Sequence, residues 1–582
     1  MNGKKIRRSF CVFVLVLASL VAGVADESSD NLGEVGKSIH KLMVENHYLR
    51  KTPDDELSKE WLRLYLNRLD PGGRMLSKEI RRDLFTRFAT VLDDALLAGD
   101  VSPAMKIHEV LKEQVRKRSA QLEVELSDEL VEEVKKEQAR EGLDREEATT
   151  RVLERYQRLM KKILIADEEA VFDGYMTAFV QCYDGRCEYF SPMELEQIRF
   201  SGSWMKQVGI GALLRMTNEG WCRIEGVVRT SPAKRGELEA GDLIIAIAQG
   251  EEGGDFIDVA YRGIDDVVSM IRGRENSRMR LKIVPFSDPD TVQIVAIQRV
   301  RCSLDELRAE AKVIDIGGRK VGWVEPGFSF DDFGEGDTPC LSKDLVRLFT
   351  KFFKQDVEGV VLDLRGKSGG SLREALNSAS LFLGNQPVVR TRAFENGELE
   401  THSGDRETAL YEGALVVIVD AETASAAEMF AGALQDYGRA AIVGGSASRG
   451  AGIEKKISRV EGSEETRVVA ATVAKYYRPS GKAIQAKGIQ PDILVPGGEA
   501  QFRGTELPNE IPYDEVESLR GCKRLNFPEE GKESRVPDVR VRKTLKIDWE
   551  GNITEIEAES NFQLTKDMAV AILRGLEATA LR

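Results

Sequence analysis

The spacing of apolar residues changes along the chain, and two folded regions follow from that change. From Leu32 to about Pro192, apolar residues recur every three or four positions among dense charge, which is the pattern of amphipathic helices. After Phe200, short β-type runs alternate with glycine-rich turns. We therefore expect an N-terminal helical domain at 32–195 and a β-rich module at 201–300.

Longer apolar runs, each beside a helical stretch, indicate a third region. They are Val360–Leu364, Ala414–Asp420 and Ala440–Val443. Continuous apolar runs are typical of strands buried on both faces of a sheet, so we expect an α/β core at 302–497. Residues 498–582 are polar and interrupted by prolines, and they predict a short C-terminal extension ending in a helix near Thr565–Leu576.

Length and charge limit the class of protein. At 582 residues the chain is too long to fold around a single hydrophobic core, because such cores stop growing near about 250–300 residues. A content of 42% hydrophobic and 31% charged residues is typical of a packed globular protein rather than a disordered or membrane one. The net charge of −14 argues against nucleic acid as a partner.

The first 25 residues have the layout of a secretory signal peptide. Four basic residues precede an apolar run from Phe10 to about Val24, which closes on small residues at Ala25. An uncleaved anchor is the alternative, although a run of about 15 residues is short for a span of about 20. We expect removal of residues 1–25, export to the periplasm or another extracytoplasmic compartment, and no stable membrane span after cleavage.

The cysteines give little support for a metal site. Only Cys182 and Cys187 lie close together, and whether they form a disulfide in an oxidising compartment is left open. No cysteine pair has CxxC spacing and no HExxH occurs, so neither a metal nor a cofactor is expected.

A strand-to-helix turn around Ser425 carries the candidate chemistry. A buried strand ends at Asp420 and a helix begins near Ala424, which places the Ser425 hydroxyl and the Ala426 amide where a helix dipole favours a developing oxyanion. A second strand-to-helix turn, at 363–370, has paired glycines that let backbone amides approach a substrate carbonyl. The two turns together predict an acyl-transfer site, although a serine at a helix start is also a common N-cap.

Two other kinds of site find no support. A Ser-His-Asp triad needs a histidine beside such a serine, and none of the four histidines is placed for it; they are His40, His47, His108 and His402. Gly366-Lys367-Ser368 resembles the end of a phosphate-binding loop, but Val361 stands where that loop requires glycine.

From about residue 40 to 500 the order of these segments resembles the carboxyl-terminal processing (tail-specific) serine protease family. The matching blocks are Thr423–Glu428 with Gln435–Ala440, Asp363–Arg365 with Gly369-Gly370, Ala474–Gly481, and Lys487–Asp492. The resemblance implies a multidomain α+β fold: a helical domain, a PDZ domain at 201–300, and an α/β protease core of the crotonase-like ββα kind at 302–497. It also implies that Ser425 is the nucleophile, that Gly370 and Ala426 donate to the oxyanion, and that Asp436 supports the site without attacking.

The β-rich module resembles the PDZ domain of that family. The resemblance is carried by Gly209, Ile210, Gly211 and Ala212, the expected carboxylate-binding loop, and by the segment 240–245. A PDZ domain adds a peptide C-terminus as a strand to a sheet edge. A glycine pair alone is equally consistent with a turn or bulge. The implied partners are proteins or peptides with apolar C-termini; a homo-oligomer or an adaptor role is left open.

The sequence departs from the family at the general base. The family activates its serine with a lysine in a Gly-Lys-Gly turn, and here that turn reads Gly450-Ala451-Gly452. Arg449 stays protonated and is no substitute. Lys455 is a candidate relocated base because two-residue periodicity places it on the strand face of Ala451, although about 13 Å away.

Two further departures lie near the expected site. Lys367 stands where the family usually has asparagine, and 184–189 reads Asp-Gly-Arg-Cys-Glu-Tyr where Asp-Pro-His-Thr before a tyrosine is usual. Two hypotheses therefore remain: an exported endopeptidase that cleaves through an acyl-enzyme at Ser425, and a pseudoprotease that binds or scaffolds protein C-termini without cutting. The sequence does not separate them or name a substrate.

Overall fold

A computed structural model gives the architecture over most of the chain. It describes residues 31–71, 73–122, 128–195, 208–217, 220–227, 231–301, 308–316, 318–327, 339–367, 369–394, 397–463, 466–495, 511–523, 525, 544–547, 553–556 and 566–580. The predicted signal peptide at 1–25 lies outside these residues. Within them, no helix combines the length and the hydropathy that crossing a membrane requires.

The N-terminal region is helical, as predicted. Its described helices are α1 (Leu32–Asn46), α2 (Asp55–Leu69), α3 (Lys78–Phe88), α4 (Leu92–Ala98), α5 (Ser102–Leu122), α6 (Asp128–Glu141), α7 (Arg145–Ile165) and α8 (Glu168–Tyr183). Side chains such as Asp54 and Asp167 accept backbone N–H groups at helix starts, which satisfies donors that the helix itself leaves unpaired. The apolar faces pack around a buried aromatic group that includes Trp61, Tyr175 and Phe179.

A small β domain follows, as the alternating runs predict. Its strands are β2 (Val208–Gly209), β3 (Ala212–Met216), β4 (Cys222–Val227), β5 (Leu243–Gln249), β6 (Ile257–Asp258), β7 (Arg278–Val284), β8 (Gln293–Gln298) and β9 (Val300–Arg301), with helices α9 (Pro232–Arg235) and α10 (Ile264–Ile271). The main sheet has the order β3-β4-β5-β7-β8, with β6 on β5, and β2 pairs with β9. β3 is thus an edge strand among the described residues.

Buried ion pairs join the helical domain to this β domain. The Arg155 guanidinium donates to both oxygens of Glu137, at 2.7 and 2.9 Å, and to Oδ2 of Asp258 at 2.7 Å. Arg158 donates to the other Asp258 oxygen at 2.6 Å. Because a guanidinium and a carboxylate match in only a few orientations, these bonds fix the relative position of the two domains.

The protease-like core is built on an eight-stranded sheet. Its order is β19-β16-β15-β12-β11-β10-β20-β21. The strands are β10 (Glu310–Ile316), β11 (Arg319–Glu325), β12 (Gly359–Asp363), β15 (Ala414–Val419), β16 (Ala441–Gly444), β19 (Ile493–Leu494), β20 (Thr544–Ile547) and β21 (Ile553–Ile556). From β11 to β19 neighbouring strands are parallel. Helices α11 (Leu341–Phe352), α12 (Leu372–Leu383) and α13 (Ala426–Asp436) cover one face.

The C-terminal residues complete this core instead of forming a separate extension. Helix α14 (Lys566–Ala580) packs Leu576 and neighbouring residues against the second face of the sheet, and Thr579 Oγ1 accepts from the Leu415 amide at 3.0 Å. Strands β20 and β21 extend the sheet beside β10. Each of these strands has four residues, so their pattern is too short to be recognised in a polar sequence.

A second, antiparallel sheet links the helical domain to the core. It has the order β1-β18-β13-β14, with β17 also paired to β18; the strands are β1 (Glu188–Phe190), β13 (Pro387–Ala393), β14 (Leu399–Ser403), β17 (Ile453–Arg459) and β18 (Val468–Tyr477). Val469 and Ala471 of β18 pack into the core of the helical domain. The sheet therefore holds the turn at 449–452, which precedes β17, in a fixed position.

Candidate active site

Ser425 lies in a strained turn between β15 and α13. Its φ of +55° and ψ of −120° are rare for a residue with a side chain, and such a conformation costs roughly 1–3 kcal/mol unless its surroundings hold it. Asp420 Oδ1 holds the turn by accepting from the amides of Glu422 at 3.0 Å and Thr423 at 2.9 Å. The side chain of Ser425 is half-buried, while Ala426 is buried at the first position of α13.

The glycine turn after β12 lies directly against Ser425. The Ala424 amide donates to the carbonyl of Lys367 at 2.9 Å, and Gly369, with φ +106°, approaches so closely that an added Cβ would lie 2.6 Å from the Ser425 Cβ and 3.1 Å from the Ala426 nitrogen. Gly370 follows immediately. The structure thus brings together Ser425, the expected nucleophile, and both residues expected to donate to an oxyanion.

Glu428 ties a third segment to this turn. Its fully buried carboxylate accepts four hydrogen bonds: Oε2 from the amides of Ser425 and Ala451, both at 2.8 Å, and Oε1 from the Ser448 hydroxyl at 2.5 Å and the Gly450 amide at 2.6 Å. Burial raises the pKa of the Glu428 carboxyl, and these four donors oppose that rise. Sequence reasoning missed this residue, although its place three positions after Ser425 is capping-box spacing.

Ala451 therefore lies beside Ser425. The two backbone nitrogens donate to the same oxygen of Glu428, so they are no more than two hydrogen-bond lengths apart. Arg449 also joins the group, because its amide donates to the Thr423 carbonyl at 2.9 Å. The methyl side chain of Ala451 is buried and has no atom that can accept a proton.

Lys455 lies in a different environment. Its Nζ donates to Oε2 of the buried Glu188 at 2.9 Å, so its ammonium group is paired with a carboxylate away from Ser425. The β17–β18 pairing shifts register between Glu454 and Lys455. The residue left out of the pairing is Val473 of β18, so side chains still alternate along β17, and the shared face of Lys455 and Ala451 stays a prediction.

Asp436 lies at the opposite end of α13 from Ser425, about 15 Å away for an 11-residue helix. It pairs with the guanidinium of Arg478, which approaches both carboxylate oxygens, and it accepts from the Ser480 amide at 2.8 Å. The buried pair anchors the end of the helix to the segment after β18. Asp436 can therefore influence Ser425 only indirectly, by holding helix α13 in place.

Two histidines and two cysteines also have assigned partners. His402 bonds the Thr391 hydroxyl at 2.7 Å, and His47 bonds Asp184 at 3.0 Å. Cys182 and Cys187, whose pairing the sequence leaves open, do not form a disulfide; their sulfurs bond the Phe179 carbonyl and Asp184. These contacts give no support to a histidine as the partner of Ser425.

The expected peptide-binding residues lie in the β domain and form the connection from β2 to β3. Gly209 ends β2, Ile210 is buried with its carbonyl bonded to the Ala233 amide at 2.9 Å, Gly211 has φ +72°, and Ala212 begins β3. The positive φ makes glycine suitable at position 211. The structure does not group these residues with Ser425.

The contact between Gly369 and Ser425 gives a stability prediction. Gly369→Ala should lower the free energy of unfolding by about 1–3 kcal/mol more than Gly318→Ala, measured by chemical denaturation. Gly318 is a matched control because its φ is also positive, at +85°, while an added Cβ there meets no atom within 4 Å. Equal effects of the two changes would show that the two turns are not in tight contact.

Comparison with known proteins agrees with this architecture. Residues 330–495 match the family described as Peptidase family S41, and residues 39–141 match the Tail specific protease N-terminal domain. The first range contains both turns around Ser425 and the turn with Ala451. The second lies within the helical domain.

Individual relatives cover much of the chain. The Tail-specific protease of Haemophilus influenzae is 25% identical over 516 residues, which is 82% of this chain and 72% of that protein. The Carboxyl-terminal-processing protease of Picosynechococcus is 32% identical over 266 residues, 46% of this chain and 58% of that protein. A solved structure of a photosystem II D1 C-terminal processing protease has a TM-score of 0.44 at 20% identity, covering 64% of this chain and 94% of that one. With the tail-specific N-terminal domain followed by a family S41 peptidase region, the chain belongs to the tail-specific, or carboxyl-terminal processing, protease family.

Proposed function

We propose that the protein is an exported serine-type endopeptidase that recognises protein C-termini through its β domain and cleaves through an acyl-enzyme at Ser425. The observation that carries the proposal is the strained turn at Ser425 with the turn of Gly369 packed against it. A serine that is only an N-cap has no need of this conformation, because N-caps are usually in the β region. Family membership supports the same reading.

The reaction places specific demands on these groups. The Ser425 oxygen attacks the scissile carbonyl and its proton must pass to a base, while the amides of Ala426 and Gly370 stabilise the oxyanion. Protonation of the amine lets it leave, and water then attacks the ester and restores the serine. The step without an assigned group is the first proton transfer, because Ala451 occupies the position beside Ser425 and Lys455 bonds Glu188.

A second candidate function follows from the lack of an assigned group to accept the Ser425 proton. General base catalysis typically contributes roughly 10²- to 10⁴-fold in rate, so the chain without a base would cleave very slowly. A pseudoprotease that binds or scaffolds proteins by their C-termini would need the β domain and the fold but no base. The methyl group at Ala451 is the observation that favours it.

Recognition of C-termini is proposed for the groove beside β3, as in a PDZ domain. β3 is the edge strand of its sheet among the described residues, and α10 packs in the same domain. Leu214 on β3 and Ile264 on α10 are partly buried apolar side chains. An extended peptide could add to β3, with its carboxylate at the turn of Gly209 to Ala212 and an apolar terminal side chain between strand and helix.

Two further proposals complete the assignment. The order β10, β11, α11 supplies a ββα unit, which supports a crotonase-like layout for the core. The basic, apolar and small-residue order at 1–25 supports export to the periplasm or another extracytoplasmic compartment.

Restoring a base tests the catalytic proposal. Ala451→Lys should raise hydrolysis of an unfolded substrate by at least about tenfold, because the new amine is placed beside Ser425, and adding Ser425→Ala should abolish the gain. Ala447→Lys is the matched control, since it adds a lysine to the same loop without the Glu428 contact, and it should leave the rate unchanged.

Two results would contradict the proposal that the missing general base belongs at position 451. If the wild-type chain is already fast and Lys455→Ala silences it, then Lys455 is the base. If neither the wild type nor Ala451→Lys cleaves any substrate, the site has lost more than one function and the pseudoprotease becomes the better account.

Binding of peptide C-termini is tested on the full chain carrying Ser425→Ala, which prevents turnover. Peptides with an apolar last residue and a free carboxylate should bind at least about tenfold more tightly than the same peptides with an amidated C-terminus, because amidation removes charge-assisted hydrogen bonds. Fluorescence anisotropy measures both affinities. Equal affinities would argue against carboxylate capture.

Export is tested by mass spectrometry of the N-terminus of the protein isolated from its own cells. The mature chain should begin near Asp26, because the small residues before it form the expected cleavage site. A cytoplasmic chain that begins at Met1 would exclude export.

A further inference from the structure

A buried cluster of three potential metal ligands lies where the helical domain meets the second sheet. His47 follows α1, while Asp184 and Cys187 lie in the turn between α8 and β1. All three are at most 1% exposed. One nitrogen, one carboxylate oxygen and one sulfur lie within 4.8 Å of one another. None of these residues takes part in the site around Ser425.

Two of the three separations are close to the edge lengths of a zinc coordination sphere. Zinc holds nitrogen and oxygen at about 2.0–2.2 Å and sulfur at about 2.3 Å in a tetrahedron, so neighbouring ligand atoms are about 3.3–3.7 Å apart. His47 Nε2 lies 3.0 Å from Asp184 Oδ2, and Cys187 Sγ lies 3.3 Å from the same oxygen. The nitrogen and the sulfur lie within 4.8 Å of each other, so all three ligand atoms border one small space.

The local backbone orients the ligands as zinc sites require. The Cys187 amide donates to the Asp184 carbonyl at 3.1 Å, and this tight turn directs both side chains into one space, as in a C-x2-C pair. The second oxygen of Asp184 accepts from the Arg186 amide at 2.6 Å, and the sulfur accepts from the Thr472 amide at 3.5 Å. Hydrogen bonds from backbone amides to metal ligands hold the ligands in position and stabilise a thiolate.

We propose that His47, Asp184 and Cys187 bind a structural zinc ion, with the Thr472 hydroxyl, 3.8 Å from the sulfur, or a water as the fourth ligand. A thiolate and a carboxylate together carry two negative charges, which the divalent cation neutralises in a space closed to solvent. The donor set of imidazole, thiolate and carboxylate suits zinc better than magnesium or calcium, which take oxygen ligands.

Binding has a definite proton balance. The thiol proton of Cys187 is released to solvent, and the imidazole proton moves from Nε2 to Nδ1 as Nε2 takes the metal. His47 Nδ1 then gives up the hydrogen bond that it accepts from the Leu49 amide, which at 3.3 Å is a long one. Three hydrogen bonds, this one and those of His47 Nε2 and Cys187 Sγ to Asp184 Oδ2, are exchanged for three metal–ligand bonds.

With the Thr472 hydroxyl as its fourth ligand, the ion would link the helical domain to the second sheet. His47 and Asp184 belong to the helical domain, and the neighbouring Thr472 belongs to β18 of the sheet that also carries β17. The Tyr48 amide already donates to the Thr472 carbonyl at 2.7 Å, so this link adds to an existing contact. Because the site is buried, the metal must enter as the chain folds.

Metal analysis of the untagged full-length protein tests the proposal. Protein produced in zinc-supplemented medium should contain about one zinc per chain, and protein produced with cobalt instead should show the thiolate-to-cobalt charge-transfer absorption. Cys187→Ser and His47→Gln should each lower the metal content at least about tenfold. Cys182→Ser is the matched control, because Cys182 is equally buried and its sulfur bonds the Phe179 carbonyl instead.

The wild-type measurements keep the test decisive even if a variant fails to fold. Fewer than about one zinc in ten chains, together with no cobalt–thiolate absorption, would overturn the proposal and leave the cluster as a hydrogen-bond network. Full metal content in Cys187→Ser would also overturn it, since the ion would then lie elsewhere. A zinc-loaded wild type with a higher thermal midpoint than metal-free protein would support the structural role.

Discussion

The candidate site depends on one buried carboxylate. Glu428 accepts from the backbone of Ser425 on one side and from the turn of Gly450 and Ala451 on the other. Four donors on two oxygens compensate for taking the group out of water, which is unfavourable for a carboxylate left without partners. Without this group, neither the strained conformation of Ser425 nor its distance from residue 451 would be fixed. The first turn of α13 thus supplies both the serine and the group that positions its neighbour.

Backbone contacts hold the site together, whereas its chemistry depends on the side chain at position 451. The serine, the glycine turn and the segment that carries the base in the family all meet here, so the fold has kept the geometry of a protease. At the position where the resemblance implies a proton acceptor, Ala451 has only a methyl group. Backbone amides hold the turn in place, and they would do so whichever residue occupied the position. These backbone contacts are therefore compatible with both proposed functions, the endopeptidase and the pseudoprotease.

The second sheet connects the site to the rest of the molecule. β18 pairs with β1 from the helical domain and with β17, which follows the turn of Ala451. The ion pair of Lys455 with Glu188 crosses the same junction, and so does the cluster of His47, Asp184 and Cys187 near Thr472. A rigid junction between the helical domain and this sheet thus keeps the turn of Ala451 fixed relative to Ser425. The ion pairs of Arg155 with Glu137 and Asp258 hold the β domain against the helical domain.

The sequence by itself predicted the helical region, the β-rich region and the two strand-to-helix turns, because these depend on periodicity and on residues within a few positions of one another. It also led to the family through short motifs around Ser425 and Gly370. Only the tertiary structure decided the rest. Partners of Glu428 come from a turn about 20 residues away, the carboxylate that binds Lys455 comes from Glu188 in β1, and short strands at the C-terminus join the core. His47 and Asp184 are 137 residues apart in the chain, so no spacing rule could group them. Contacts of this kind arise from packing between distant elements, and the local sequence pattern of each element does not predict them.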